Sequence, residues 1–175
     1  MKKKLLHKIK TTRQLIPHGG DDRVYTPPAL ANKIVEYFNP QIKGIVLEPC
    51  VGKGAFVRAI NKFKHPIRKC EIDKGSDFFD FTEKVSWIIT NPPWSLARRF
   101  AQHSYEISDN IVFLITVNHF MGLKARRLDM ERAGFGIKEI VYVDTPPKPW
   151  PQSGFQLAAI HIKRGYKGKI TQIKI

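Results

Sequence analysis

Ile45-Val46-Leu47-Glu48-Pro49-Cys50-Val51-Gly52-Lys53-Gly54-Ala55-Phe56 is an apolar strand that runs into a glycine turn and then into a helical pattern. That order makes a nucleotide-type βα turn, the opening unit of an α/β fold. Gly52 and Gly54 allow the backbone to come close to a ligand, and Glu48 stands at the carboxyl end of the strand, where open α/β sheets bind their cofactors. A carboxylate in that place calls for a cation. The third glycine of a dinucleotide fingerprint is missing and no Gly-Lys-Ser/Thr follows, so Lys53 does not mark an ATP site. A nucleoside bearing an ammonium group, such as S-adenosylmethionine, suits the turn better, with Glu48 accepting from the amino group and the Gly52 to Gly54 backbone passing beneath the amino-acid moiety.

Elsewhere helical and strand patterns alternate. Thr26 is the expected N-cap of a helix with Pro27 or Pro28 in its first turn and Leu30, Ile34, Tyr37 and Phe38 on one face, ending before Asn39-Pro40. Phe56, Ile60 and Phe63 keep helical spacing, and Pro66 to Lys69 is weakly strand-like. Residues 86–90 form a buried strand, and Ser95 caps a helix that turns Leu96 and Phe100 inward. Ile111 to Val117 is nearly all apolar, as befits a central parallel strand covered on both faces. Leu123 to Ala133 is helical and stops at Gly134; Ile137 to Val143 and Leu157 to Ile162 close the sheet, joined by the proline-rich loop Thr145 to Ser153. The expected architecture is a single doubly wound Rossmann-like domain of class α/β with a mostly parallel seven-stranded sheet, spanning 21–163 between a basic arm at 1–20 and a basic tail at 164–175.

The chemistry concentrates at Asn91-Pro92-Pro93-Trp94, directly after the apolar run Trp87-Ile88-Ile89-Thr90. Two prolines fix φ and cannot donate, so they cannot continue a central strand and instead hold the chain rigidly past the sheet edge. The Asn91 side-chain oxygen and the Pro92 carbonyl can then accept from one exocyclic NH₂ while the Trp94 ring stacks on the heterocycle that carries it. An aromatic amine is a poor nucleophile because its lone pair is spread into the ring. Two acceptors on its hydrogens favour the pyramidal form in which that pair is free, so no strong base is needed. Cys70-Glu71-Ile72-Asp73 and Asp77-Phe78 add acids after the second strand, where a carboxylate holds ribose hydroxyls and an Asp-Phe pair can hold an adenine; solvated turn formers are the competing reading.

These residues resemble the S-adenosylmethionine-dependent N6-adenine DNA methyltransferases in which the cofactor motif precedes the catalytic motif, over roughly Tyr25 to Ile162. The resemblance implies Tyr25-Thr26-Pro27 as a cofactor-flanking motif, Glu48 to Phe56 (with Glu48, Pro49, Cys50, Gly52 and Gly54) as the first cofactor motif, and Glu71 as the ribose acid. It further implies Asp77 and Phe78 at the cofactor adenine and Asn91, Pro92, Pro93 and Trp94 as the catalytic motif. Tyr or Phe is more usual where Trp94 stands. A second aromatic on the far face of a flipped base would be Phe155, with Trp150 next. His119, after the central strand, is left out of the site, since a lone histidine more often caps or packs.

Charge points to the substrate. Among 175 residues, 30 Lys and Arg outnumber 15 Asp and Glu, for a net charge of +15 and a pI near 10.0. No acid precedes Asp21 and none follows Asp144. Basic ends of this kind neutralise phosphates without reading sequence, so nucleic acid is the expected partner, DNA before RNA, with a separate specificity subunit or a dimer to supply site recognition. RNA adenosine methylation is the nearest alternative, followed by methylation of a protein glutamine and by an inactive nucleic-acid-binding module. No apolar span is long enough to cross a bilayer and no secretory h-region is present, so no membrane partner and a cytoplasmic location are expected. Cys50 and Cys70 lack zinc or disulfide spacing, and no metal is expected.

Overall fold

The computed structural model describes residues 24–175. The expected arm at 1–20 lies outside them. Seven strands form one sheet: β1 (Val46–Glu48), β2 (Ile67–Lys69), β3 (Val85–Thr90), β4 (Ser108–Thr116), β5 (Phe135–Tyr142), β6 (Leu157–Arg164) and β7 (Thr171–Lys174), in the order β2-β1-β3-β4-β6-β5-β7. All neighbouring pairs are parallel except the two made by β6, which runs antiparallel to β4 and β5.

Helices cover both faces. On one face α1 (Pro28–Phe38) and α2 (Ala55–Lys62) bury Ala31, Ile34, Val35, Phe38, Phe56 and Ile60 against Val46, Trp87, Ile89, Val112 and Leu114. On the other, α3 (Ala97–Ile107) and α5 (Lys124–Arg132) bury Phe100, Tyr105 and Met130 against Leu47, Ile88, Ile111, Phe113 and Ile115. Consecutive residues of β4 therefore feed opposite cores, the period-two alternation of a strand buried on both sides. A short α4 (Val117–Met121) follows β4 directly.

Three local expectations change. Pro27, not Thr26, holds the N-cap of α1, where no side chain caps and the Pro27 carbonyl itself accepts from Ala31 N at 3.1 Å. Prolines pre-set the first turn, so the helix starts without a hydroxyl cap. Ser95 sits inside a 3₁₀ turn (Trp94–Leu96), and Leu96 occupies the N-cap of α3, because the Pro92-Pro93 corner tightens the chain before the α-helix begins. The stretch 164–175 is not a free tail: β7 pairs parallel with β5 from Glu139↔Thr171 to Tyr142↔Lys174. All four β7 residues are exposed, so this edge strand carries no apolar face that would announce it.

Candidate active site

The carboxyl ends of β1 and β3 open onto a cleft of about 270 Å³, lined by three successive turns of chain. The first is the glycine turn after β1. Gly52 (φ +48°) and Gly54 (φ +77°) both take left-handed backbone, and Gly54 is the N-cap of α2. A Cβ on Gly52 would come within 3.0 Å of the Tyr25 ring, so glycine is what lets that ring lie over the turn. Lys53 Nζ stands 4.7 Å above the same ring. Tyr25, Pro49, Cys50 and Gly52 all line the cleft.

The second turn follows β2. Glu71 Oε2 accepts from Gly52 N at 2.5 Å and its Oε1 from Asp73 N at 3.3 Å, so this carboxylate ties the turns after β1 and β2 together while facing the cleft. Asp77 Oδ1 accepts from Phe79 N at 3.0 Å and caps a 3₁₀ turn. Phe78 reaches the cleft wall from a buried aromatic stack with Phe100, centroids 4.9 Å apart.

The third is the corner after β3, where Asn91, Pro92, Pro93 and Trp94 all line the cleft. Asn91 Nδ2 donates to the Val24 carbonyl at 2.8 Å, which fixes the amide, and Oδ1 accepts from Trp94 Nε1 at 3.3 Å. A carbonyl oxygen has a second lone pair, so Oδ1 keeps acceptor capacity. The Pro93 carbonyl is used by Leu96 N at 3.0 Å, whereas among the described residues the Pro92 carbonyl accepts no bond. Trp94 is half-buried and rests against Trp150, edge-on with centroids 6.3 Å apart. Two acceptors and one aromatic ring thus converge on the mouth of a cleft whose other end is the glycine turn.

Not every expected residue lines this cleft. Glu48 lies beneath its floor, 1% exposed, with Oε1 accepting from Thr90 Oγ1 at 2.6 Å and Cys50 N at 2.9 Å. Burial pushes its carboxyl up to about 8, against the pull of those two donors and with the help of the nearby Glu71 charge. Burial also raises the Cys50 thiol well above its ordinary value, so Cys50 is a neutral small residue in the wall. Thr26 lines a separate pocket of about 30 Å³ beside the turn, and Gly54 acts through the backbone. Trp150 is 4% exposed and supports Trp94 from behind, while Phe155, 52% exposed, stands away from the cleft lining.

His119, which the sequence leaves out of the site, lies against this corner. Its Nε2 lies 2.7 Å from the Trp94 carbonyl, so that nitrogen is the donor, and the buried Arg126 guanidinium donates to the His119 carbonyl. Both brace the corner through backbone oxygens. The position of His119 just past the carboxyl end of β4 was the available signal. Val24 and Thr90, which hold Asn91 and Glu48, carry no local motif at all. Among the described residues no cluster of three His, Cys, Asp or Glu could hold a metal, and no helix is long and apolar enough to cross a membrane.

No family model matches the sequence, and no curated protein does. Solved structures do match in shape. A chain of a type I R-M system superposes with a TM-score of 0.65 at 17% identity, over 86% of this chain and 44% of that one. The fold is that of the Rossmann-like methyltransferases. A modification subunit of a putative type I restriction enzyme from Vibrio vulnificus also gives 0.65, at 16% identity over 93% and 49%. The 23S rRNA methyltransferase ErmE gives 0.61, at 15% identity over 83% and 73%. The chain spans a little under half the length of the first two structures.

Proposed function

We propose that this chain transfers a methyl group from S-adenosylmethionine to the N6 amine of adenine in DNA. The observation that carries the reading is the corner after β3: an asparagine amide pinned by the Val24 carbonyl, a Pro92 carbonyl that accepts no bond among the described residues and the Trp94 ring share one cleft with the glycine turn. The cofactor fits the donor set. Of the residues that line the cleft, Glu71 would hold the ribose diol, Phe78 and Asp77 the adenine, and Tyr25 would cover the amino-acid end. When bound, S-adenosylmethionine supplies an electrophilic methyl carbon on a sulfonium.

The chain's own residues do the rest. Basic surface docks a strand, and the target base leaves its stack to lie on Trp94. Asn91 Oδ1 and the Pro92 carbonyl accept from the two N6 hydrogens, which favours the pyramidal amine and aims its lone pair into the cleft. Asn91, Pro92, Pro93 and Trp94 carry no side chain that could act as a general base, so the proton is released to water after transfer. Trp150, His119 and Arg126 hold Trp94 and its carbonyl in place. Type I R-M chains and a modification subunit among the structures of similar shape favour DNA and a partner that supplies site recognition.

A 23S rRNA methyltransferase of similar shape, 73% of whose length this chain spans, keeps RNA adenosine as the second reading. Incubation with methyl-labelled S-adenosylmethionine and, in parallel, duplex DNA, single-stranded DNA and structured RNA decides between them. Label in DNA as N6-methyladenine supports the proposal; label in RNA alone replaces it with the second reading. Cofactor binding without any transfer would leave a binding module.

A further inference from the structure

A second and larger cleft, about 680 Å³, opens at the opposite end of the sheet. Strand register fixes its position. Val85 and Trp87 at the start of β3 pair with Ser108 and Asn110 at the start of β4, and Asn110 pairs with Lys163 at the end of antiparallel β6. The segment entering β1 adds Lys43, β5 itself adds Lys138, and Lys84 precedes β3, so four ammonium groups border the space.

The acids do not balance them. Asp109, the acid of the rim, is bonded to Arg164 at 2.6 Å. Glu139 lies behind the wall, 4% exposed, and takes up Lys138 at 2.8 Å. Lys84 donates to the Glu106 carbonyl, a dipole rather than a charge. Among the described residues Lys43 and Lys163 have no carboxylate partner, and both are exposed. Three positive charges are therefore held around one concavity against their mutual repulsion, and the floor between them is polar, with Gln41, Ser86 and Asn110. Asn110 Nδ2 is held by the Ser86 carbonyl at 3.2 Å, so this floor is ordered by the fold. Like charges focused in a cleft raise the local concentration of anions, and lysine is a point-charge phosphate binder.

We propose that this cleft is a second nucleic-acid site, which grips the phosphate backbone through Lys43, Lys84 and Lys163 without reading bases. It lies at the amino ends of the parallel strands, away from the candidate active site, and shares with the proposed function only the chemical class of the partner. A strand held there tethers substrate to the enzyme while the other end of the sheet samples adenines.

Fluorescence anisotropy of a labelled single-stranded oligonucleotide, measured over a series of salt concentrations without cofactor, tests it. Binding read this way is independent of methyl transfer, so failure of the catalytic proposal does not touch the result. The paired substitution Lys43→Gln/Lys163→Gln is compared with Lys167→Gln/Lys169→Gln, which removes the same charge from the β6–β7 turn. The cleft pair should weaken binding roughly tenfold and lower the salt slope by about 1.4, while the control pair changes affinity by less than about twofold. Equal losses in the two pairs, or none in the cleft pair, overturn the proposal. So does calorimetry in which tripolyphosphate loses affinity with the cleft pair while the oligonucleotide does not, since the site would then take free polyphosphate.

Discussion

Glu48 and Glu139 are two glutamates of nearly equal burial, 1% and 4% exposed, on β1 and β5 of one sheet with three strands between them, and the fold treats them in opposite ways. Glu139 is surrounded by donors. Burial would raise its carboxyl, but His161, Lys138 and Tyr37 outweigh it and hold the group at about 2. The β-bulge between Ile137 and Glu139 turns this side chain to the face where His161 lies opposite it across the strands. Glu48 is desolvated by its burial and, among the described residues, has a hydroxyl, a backbone N–H and a neighbouring acid but no cation, so it rises to about 8. A buried carboxylate that the fold itself neutralises is structural. One left without a cation, beneath a ligand-sized cleft, is the arrangement expected where the positive charge arrives with a ligand.

The largest effect should come from breaking the structural member. Glu139→Gln leaves Lys138 and His161 without their carboxylate and should cost about 3 kcal/mol in urea unfolding at neutral pH. Because Glu139 titrates in the folded chain at about 2 rather than its ordinary 4.5, its contribution is fully present above 4.5 and is lost as pH falls toward 2. The mutant should therefore differ less from the parent at pH 2 than at pH 7. An equal deficit at both pH values would break the contrast.

Glu48→Gln should behave in the reverse sense. Between the ordinary 4.5 and about 8 the folded chain keeps a proton on Glu48 that the unfolded chain has released, so stability falls as pH rises through that window. The substitution should flatten that decline, which is on the order of a few kcal/mol, and leave the protein at least as stable as the parent at pH 8. Affinity for S-adenosylmethionine, read by calorimetry, should fall in the same mutant. A smaller effect is expected at the other end of the cleft, where Trp94→Ala should raise KM for the nucleic acid by roughly tenfold, an order of magnitude set by the loss of one base-stacking surface, while Trp94→Tyr retains most of the affinity. Smallest of all, His119→Gln should lower kcat a few-fold with KM little changed, because it loosens the Trp94 carbonyl without touching substrate.

What could be read from the chain follows from how local each signal is. The glycine turn, the Asn91 to Trp94 corner and the two-sided β4 announce themselves within a dozen residues, because strand, turn and proline geometry act over that range. The bonds that make the site work span much more chain: Asn91 to Val24 across 67 positions and Thr90 to Glu48 across 42. No pattern within either segment predicts them. β7 is illegible for a different reason, since an edge strand exposed on both faces shows no alternation and the lysines in and before it resemble a tail. Of the two late-loop aromatics that the sequence offers, Phe155 and then Trp150, the one packed against Trp94 is Trp150, 4% exposed. Seven β4–β6 pairs bring the loop's far end alongside β4, a tertiary fact invisible to spacing.

The central claim is that the Asn91 amide grips the reacting amine and does not merely shape the cleft. Single-turnover transfer of labelled methyl to adenine-containing DNA by Asn91→Ala, with cofactor affinity measured in the same preparation, tests it most directly. The rate should fall by at least about a hundredfold, with S-adenosylmethionine affinity within about twofold of the parent. Transfer at a rate near that of the parent would contradict the account.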